Sequence, residues 1–303
     1  TREEYLTVDR RGRGFRLTSD QRQQMWDAIQ EYQSILERHG ELDWGDVPRK
    51  MWFSLQEGKL KLPKYDFILV DEAQFFASLW IRLIQNALNP QNAHLFLVTD
   101  PTQGFLGRGA SWKSFGLEAR GRTHLLPHSY RTTREIMQFA SFFYRLRLPG
   151  EKDEDILIPD LLNMPNGVFP QLILLDKPQD EIARVANEVE EFLRRGCPRK
   201  DLLLLHANGQ GAGSLIKAIN RRVGRNTAFD PKEQYPGNYV RVTTLNAGAG
   251  LESPIVFLVG LRELFEVEQS QRLSDDERET LIRDNTKKIY MAATRAGQRL
   301  VLT

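Results

Sequence analysis

Cysteine is nearly absent: a single Cys197 in 303 residues excludes an internal disulfide and a four-cysteine zinc site. It lies between Gly196 and Pro198 at an expected helix end, a structural position. No window approaches the ~20 apolar residues that cross a bilayer, and no secretory signal pattern opens the chain, so a cytoplasmic protein without a membrane partner is expected. The histidines His39, His94, His124, His128 and His206 show neither an HExxH pair nor another ligand spacing, and packing or surface roles are expected of them. No GxSxG elbow is present on which to build a Ser-His-Asp site. A strong excess of one charge is lacking as well. Lys and Arg number 42 against 40 Asp and Glu, a net +2, so affinity for nucleic acid must come from local basic patches. There is no internal repeat of fixed period and no low-complexity tract.

What is present suits a folded α/β protein. A hydrophobic fraction of 41% supports a packed core, 27% charged residues support a solvated surface, and the length fits two ordinary domains or one large one. Arg10, Arg11, Arg13 and Arg16 form a basic opening segment, read either as a solvated tail or as a phosphate contact. Met25, Ile29, Tyr32 and Leu36 recur at helical spacing from Ser19 onward, and Gly40 supplies a stop. Further helices are expected over Val47 to Leu55 and Ser78 to Leu88, with a buried strand over His94 to Thr99. Thr132 and Glu135 have capping-box spacing before Ile136, Phe139, Ala140 and Phe143. After an acidic stretch with Glu151, Asp153, Glu154 and Asp155, a strand (Gln171 to Leu175), a helix (Glu181 to Arg195) and a strand (Asp201 to His206) follow. A glycine-rich turn then leads to a helix near Leu215 to Arg221, strands around Tyr239 to Thr244 and Ile255 to Gly260, a helix through Tyr290, and a strand Arg299 to Leu302. Such alternation predicts parallel sheets.

The most informative stretch is Asp66-Phe-Ile-Leu-Val70-Asp71-Glu72-Ala-Gln74. Its apolar run reads as a strand buried on both faces, and open α/β sheets bind ligands beyond the carboxyl ends of such strands. Two adjacent acids there fit a magnesium-linked carboxylate, Asp71, beside a water-orienting base, Glu72. A strand that merely ends in two solvated acids is the alternative. Asp100 and Gln103 lie in the exit loop of the next strand, where a glutamine can hydrogen-bond a terminal phosphate or water. Ser129-Tyr130-Arg131-Thr132 places an arginine just before a helix, and Ala293-Thr294-Arg295-Ala296 places another near a helix end. Guanidinium groups answer the charge that phosphoryl transfer spreads over equatorial oxygens. Two arginines from the second half facing two carboxylates from the first describe an interdomain nucleotide cleft.

In order and spacing these segments resemble the later motifs of superfamily 1 helicases of the UvrD/Rep type, from about Asp66 to the end of the chain. The VDEAQ box corresponds to Val70 through Gln74, GDxxQ to Thr99 through Gln103, NYRS to Ser129 through Thr132, GLE to Gly250 through Glu252, and ALTRA to Ala292 through Ala296. The resemblance implies two RecA-like parallel-sheet domains of the P-loop NTPase helicase core, the first incomplete at its N-terminus: residues 1–122 with an N-terminal helical segment, and 123–303. It implies ATP and Mg2+ as cofactors. Asp71 would hold the metal and Glu72 would activate water. Gln103, Arg131 and Arg295 would contact the γ-phosphate, and Glu252, Gly250 and Asp100 would line the nucleotide site. Thr244, Asn246, Phe105 and Trp112 are the candidate nucleic-acid contacts, the two aromatics being more often core residues in such a setting. The implied partner is single-stranded or partly duplex DNA, and a monomer is expected.

The family's first motif, GxxxxGK[ST], does not occur in these residues. Gly209-Gln-Gly211-Ala-Gly213-Ser214 follows a strand and precedes a helix but has no Gly-Lys pair, and a plain loop is expected there. With Thr1 rather than methionine first, the expectation is a C-terminal portion whose phosphate loop belongs to an N-terminal segment of the same protein. Ala249 stands where relatives carry lysine, in Ala247-Gly-Ala249-Gly-Leu-Glu252-Ser253. Roughly 110 residues separate Arg131 from Arg241, where UvrD/Rep relatives insert a mobile helical subdomain, so a short branch is expected. The functional expectation is an ATP-dependent helicase or translocase moving on single-stranded DNA. The alternative is a catalytically degenerate helicase-like scaffold that binds nucleic acid or partner proteins.

Overall fold

The computed structural model describes residues 1–7, 17–100, 116–119, 121–126, 129–150, 160–175, 177–233 and 237–303. Gln103, Phe105 and Trp112 lie outside the described residues, as do the four arginines of the opening segment. The chain divides into two compact units, Thr1–His124 and Leu125–Thr303.

The first unit runs α1 (Arg2–Thr7), α2 (Ser19–His39), α3 (Asp46–Gln56), β1 (Phe67–Val70), α4 (Ser78–Asn86) and β2 (His94–Leu97). Helix α2 begins at a capping box in which Thr18 accepts the Gln21 N–H and the Gln21 side chain accepts the Thr18 N–H, and it ends where Gly40 turns left-handed at φ 67°. Strands β1 and β2 pair in parallel, Phe67 opposite His94 and Leu69 opposite Phe96. Here the expectation of strands buried on both faces is corrected. Burial alternates: Ile68 and Val70 turn inward, while Phe67 and Leu69 stay 67% and 74% exposed and Phe96 61% exposed. A continuous apolar run states that a strand is compatible with burial, not how many layers cover it.

The second unit is a six-stranded, all-parallel sheet in the order β3-β8-β7-β4-β6-β5. Its strands are β3 (Gln171–Leu172), β4 (Leu202–His206), β5 (Ala228–Phe229), β6 (Val240–Thr244), β7 (Ser253–Val259) and β8 (Ala296–Leu302). Its helices are α5 (Arg134–Arg147), α6 (Glu181–Arg194), α7 (Gly209–Arg222), α8 (Leu261–Glu268) and α9 (Asp275–Ala293). Side-chain alternation sends Leu203, Leu205 and Leu258 into one core layer with Ile136 and Tyr144 of α5 and Tyr290 of α9. Leu202, Leu204 and Phe257 enter the other, with Val185 and Val189 of α6 and Leu215 of α7. All five residues of β4 are buried, as a central parallel strand requires. The parallel α/β architecture expected of RecA-like domains is therefore what the chain adopts.

Two local expectations fail. Helix α5 is capped at Thr133, not Thr132, without a side-chain cap bond. Glu135 instead accepts the Gly167 N–H at 2.6 Å, because the later start turns its carboxylate toward the neighbouring extended segment. The Gly209–Ser214 run is not a loop but the first turns of α7, begun by Asn208, whose side chain accepts the Gly211 N–H at 2.7 Å. The reason for glycine is packing. A Cβ on Gly211 would overlap the His206 ring, and one on Gly260 would lie 2.7 Å from that ring's Cε1, so two glycines form the slot that seats the imidazole.

A polar cluster ties three helices of this unit together. Arg147 of α5 pairs with Glu268 of α8 at 2.5 Å and donates to the Thr286 hydroxyl of α9 at 3.0 Å. Asn285 donates to the other Glu268 oxygen at 2.9 Å, and the Arg147 guanidinium lies 4.8 Å from the Phe265 ring centroid.

Candidate nucleotide and nucleic-acid sites

In the first unit the acid pair stands at the carboxyl end of β1. The Asp71 carboxylate accepts the Glu72 N–H at 2.9 Å, which folds the chain back immediately after the strand. Glu72 adopts a left-handed backbone, φ 53° and ψ 38°, a conformation that costs a non-glycine residue roughly 1–2 kcal/mol. Such an outlier directs attention to the site, since surrounding structure must hold it. The holding group is Gln74: its side-chain N–H donates to Glu72 Oε2 at 2.5 Å and its Oε1 accepts the Asp100 N–H at 3.0 Å. The Ala73 N–H also reaches the Val98 carbonyl at 2.9 Å. Asp71, Glu72 and Asp100 thus belong to one hydrogen-bonded unit spanning both strand exits. Sequence reading named Gln74 without giving it this role; the two-residue spacing from Glu72 was the only signal.

Among the described residues this exit offers the oxygen ligands of Asp71, Glu72 and Asp100, and no group of three or more His, Cys, Asp or Glu side chains able to hold a metal ion occurs there or elsewhere. That donor set suits a hard cation completed by phosphate oxygens and water, as magnesium usually is, rather than a metal caged by protein alone.

In the second unit, Arg131, Glu252 and Arg295 are brought together. Arg131 Nε pairs with Glu252 Oε2 at 2.7 Å, both side chains being about half exposed. Ser253, next to Glu252, donates its N–H to the Arg295 carbonyl at 3.1 Å. A Cβ on Gly297 would lie 3.4 Å from the Arg131 carbonyl, so the three segments press together where β7 and β8 begin. Arg295 itself is buried. Gly250, at φ 84°, makes the left-handed turn that delivers Leu251 and Glu252 to this corner. Sequence reading missed Arg241, which supports the corner from β6: its Nη2 donates to the Glu252 and Lys200 carbonyls at 2.8 and 3.0 Å. Burial lowers its pKa below that of a free guanidinium.

These residues stand at the amino ends of β7 and β8, so the carboxyl-end rule that locates Asp71 does not locate them. Thr244 and Asn246 sit at the opposite end of the sheet, where β6 finishes beside His206. The Thr244 hydroxyl accepts the Ala247 N–H at 3.2 Å and starts the turn that contains Asn246. At this carboxyl end the chain leaves β4 for α7 on one face and leaves the adjacent β7 for α8 and α9 on the other, the topological switch of an open α/β sheet. Sequence reading assigned His206 only a packing or surface role. Its Nδ1 accepts the Asn208 N–H at 3.1 Å, and Asn208 donates in turn to Glu263. Glu181 accepts the Gly260 N–H at 3.0 Å nearby. Burial lowers the His206 pKa, opposed by the charges of Glu263 and Glu181.

Residues 2–115 match the family model for the UvrD/REP helicase N-terminal domain. A probable DNA helicase II homolog of Mycoplasma capricolum subsp. capricolum is 24% identical over 188 residues, covering 58% of this chain and 25% of that protein. The chain therefore spans about a quarter of that curated relative. Among solved structures, the C-terminal domain of a possible DNA helicase from Lactobacillus plantarum WCFS1 is similar at a TM-score of 0.39 and 16% identity, covering 57% of this chain and 86% of that one. The Hef helicase domain of Pyrococcus furiosus is similar at 0.30 and 9%, covering 84% and 74%. At those TM-scores neither likeness adds to the fold assignment, which rests on strand order.

Proposed function

We propose, for a chain that is related to the UvrD/Rep-type helicases, that it is the C-terminal portion of an ATP-dependent motor moving on single-stranded DNA. Residues 1–122 are assigned to part of a first RecA-like domain and 123–303 to a second. The observation that carries this reading is the bridge formed by Gln74 from the Glu72 carboxylate to the Asp100 backbone N–H, which ties the two strand exits together where a solvated strand end needs no such support.

In this reading Asp71 offers its second carboxylate oxygen to magnesium, which when bound neutralises phosphate charge. Glu72, aimed by its left-handed backbone and the Gln74 amide, accepts the proton of the attacking water. Arg131 exchanges Glu252 for a phosphate oxygen, Arg295 adds a second positive group, and Glu252 is released toward a ribose hydroxyl. Gln103 senses the terminal phosphate. Thr244, Asn246, Phe105 and Trp112 are the residues assigned to contact with the DNA strand. A further segment of the same protein, bearing a phosphate loop, completes the first sheet; the uncovered Phe67, Leu69 and Phe96 support that assignment. The protein acts as a cytoplasmic monomer.

Two measurements test the proposal. The purified chain is expected to bind a single-stranded oligonucleotide with affinity that falls steeply with salt, and absence of binding at low salt refutes the DNA role. Joined to a polypeptide that supplies GxxxxGK[ST], it is expected to show DNA-stimulated ATP hydrolysis that Glu72→Gln lowers about 10²- to 10⁴-fold. Unchanged turnover in that variant refutes the assignment of Glu72. The scaffold reading is favoured by the absent Gly-Lys pair and by Ala249, and it is supported if oligonucleotide binds while the joined protein remains inert.

A further inference from the structure

The edge of the second unit's sheet is apolar where a solvated edge strand is usually blunted. Strand β3 has β8 on one side and, among the described residues, no partner on the other. Along it Val168, Phe169, Leu172 and Leu174 are exposed, Phe169 to 75% and Leu174 to 83%. Natural edge strands are normally protected by charge, bulges or a covering element, and apolar patches of this kind mark interaction sites. Leu172 pairs in register with Leu302 and so lies on the α5/α9 face, while Gln171 pairs with Val301 and lies on the α6 face. The Ile173 N–H bonds the Leu302 carbonyl at 2.9 Å, which leaves the Leu172 and Leu174 N–H groups pointing outward by strand alternation.

On the α6 face the same edge borders a cleft of about 220 Å³ between Gln171, Arg299 and one side of α6. Its carboxylates are already engaged: Glu188 pairs with Arg184, and Glu191 with Arg195, each at 2.7 Å. Arg299 is different. Its guanidinium lies 5.3 Å from the Phe192 ring centroid and donates to the Gln171 side-chain oxygen at 3.3 Å, but it has no carboxylate partner among the described residues, and its Nε is buried without an acceptor.

We infer that this edge binds an extended peptide segment of a partner protein, which adds as a further strand beside β3, sets apolar side chains against Leu172 and Leu174, and places an Asp or Glu carboxylate on Arg299. Backbone hydrogen bonds along the edge supply affinity, and the two faces read alternate side chains. The unsatisfied guanidinium selects the acid, since a charge-assisted pair in a partly closed cleft outweighs its neutral counterpart.

Selection of a short-peptide display library against the full chain tests this inference. Enriched sequences are expected to alternate apolar residues on one face and to carry Asp or Glu on the other. A representative synthetic peptide is expected to lose about tenfold in affinity when its acid becomes the amide, when Arg299→Gln is introduced, and when the exposed Leu174 becomes lysine. Peptide binding in the wild type should also shift the Leu172 and Leu174 amide resonances. Enrichment equal to that on Leu174→Lys, or a pool without the acid, overturns the inference. So does displacement by an oligonucleotide, or a wild-type dimer that Leu174→Lys splits, because nucleic acid or a second copy would then occupy the edge.

Discussion

Gly211 and Gly213 stand two residues apart in α7, yet alanine should act in opposite directions at the two. At Gly213 a Cβ meets nothing within 4 Å, so Gly213→Ala removes only the backbone freedom of glycine in a helix and should stabilise by about 0.5–1 kcal/mol. At Gly211 the same helical gain applies, but the new methyl overlaps the His206 ring, which cannot retreat because Gly260 closes the slot from the other side. Overpacking of a tight interior costs about 1–3 kcal/mol, and a ring held on both sides belongs at the upper end, so Gly211→Ala should destabilise by roughly 1–2 kcal/mol net. Urea unfolding separates this from a general effect. Trp26, Trp44, Trp52, Trp80 and Trp112 all belong to the first unit, so tryptophan fluorescence follows that unit while far-ultraviolet circular dichroism follows both. The dichroism midpoints of the two variants should differ by about 1 M urea with the fluorescence midpoint unmoved. Adding His206→Ala should recover more than ~0.5 kcal/mol of the Gly211→Ala loss as a positive coupling. If Gly211→Ala raises the midpoint as Gly213→Ala does, the imidazole is not seated between these glycines.

Acid should weaken the same slot. The folded-state pKa of His206 lies below the 6.5 of a free imidazole, so the unfolded chain takes up the proton first. The contribution is intact above about pH 6.5 and is lost as pH falls through the folded value; the fall in urea midpoint between neutral pH and about pH 5 should be shallower in His206→Gln. Glu268→Ala should cost about 3–5 kcal/mol by leaving Arg147 without its partly buried counterion, whereas joint replacement of Arg147 and Glu268 by Met and Leu should cost far less, as thermal unfolding would show.

Burial along the strands shows where sequence reading held and where it stopped. Leu202 to Leu205 and Phe67 to Val70 are both continuous apolar runs, and both form parallel strands. Only the first is buried throughout, because helices cover both faces of its six-stranded sheet. That difference is tertiary, and no local pattern encodes it. Helix α2 was legible from Ser19 to Gly40 because a periodic stripe and a glycine stop are local signals. The glycines of α7 misled for a complementary reason: propensity argues against helix, yet the close passage of α7 over His206 demands residues without a side chain. At the candidate site, motif order identified Arg131, Glu252 and Arg295 as a set. The ion pair between Arg131 and Glu252 and the Arg241 brace arise from contacts between segments far apart in the chain.

The link between the two ends of the second unit follows from the same geometry. The connection from β6 to β7 begins with Thr244 at the carboxyl end of the sheet and reaches Glu252 at the amino end, passing β4, which lies between the two strands. It is compact at each step: the Gly248 N–H bonds the Thr244 carbonyl at 2.9 Å and the Leu251 N–H bonds the Gly248 carbonyl at 3.0 Å. Gly248 also lies so close over Leu205 that a Cβ there would sit 2.6 Å from its methyl carbon. A segment bonded and packed in this way has little slack, because close-packed interiors transmit displacement rather than absorb it. In the proposed mechanism, release of Glu252 from Arg131 would act on a segment whose other end carries Asn246, and the residues proposed for nucleotide and for nucleic acid are joined by one short stretch of chain rather than by the sheet alone.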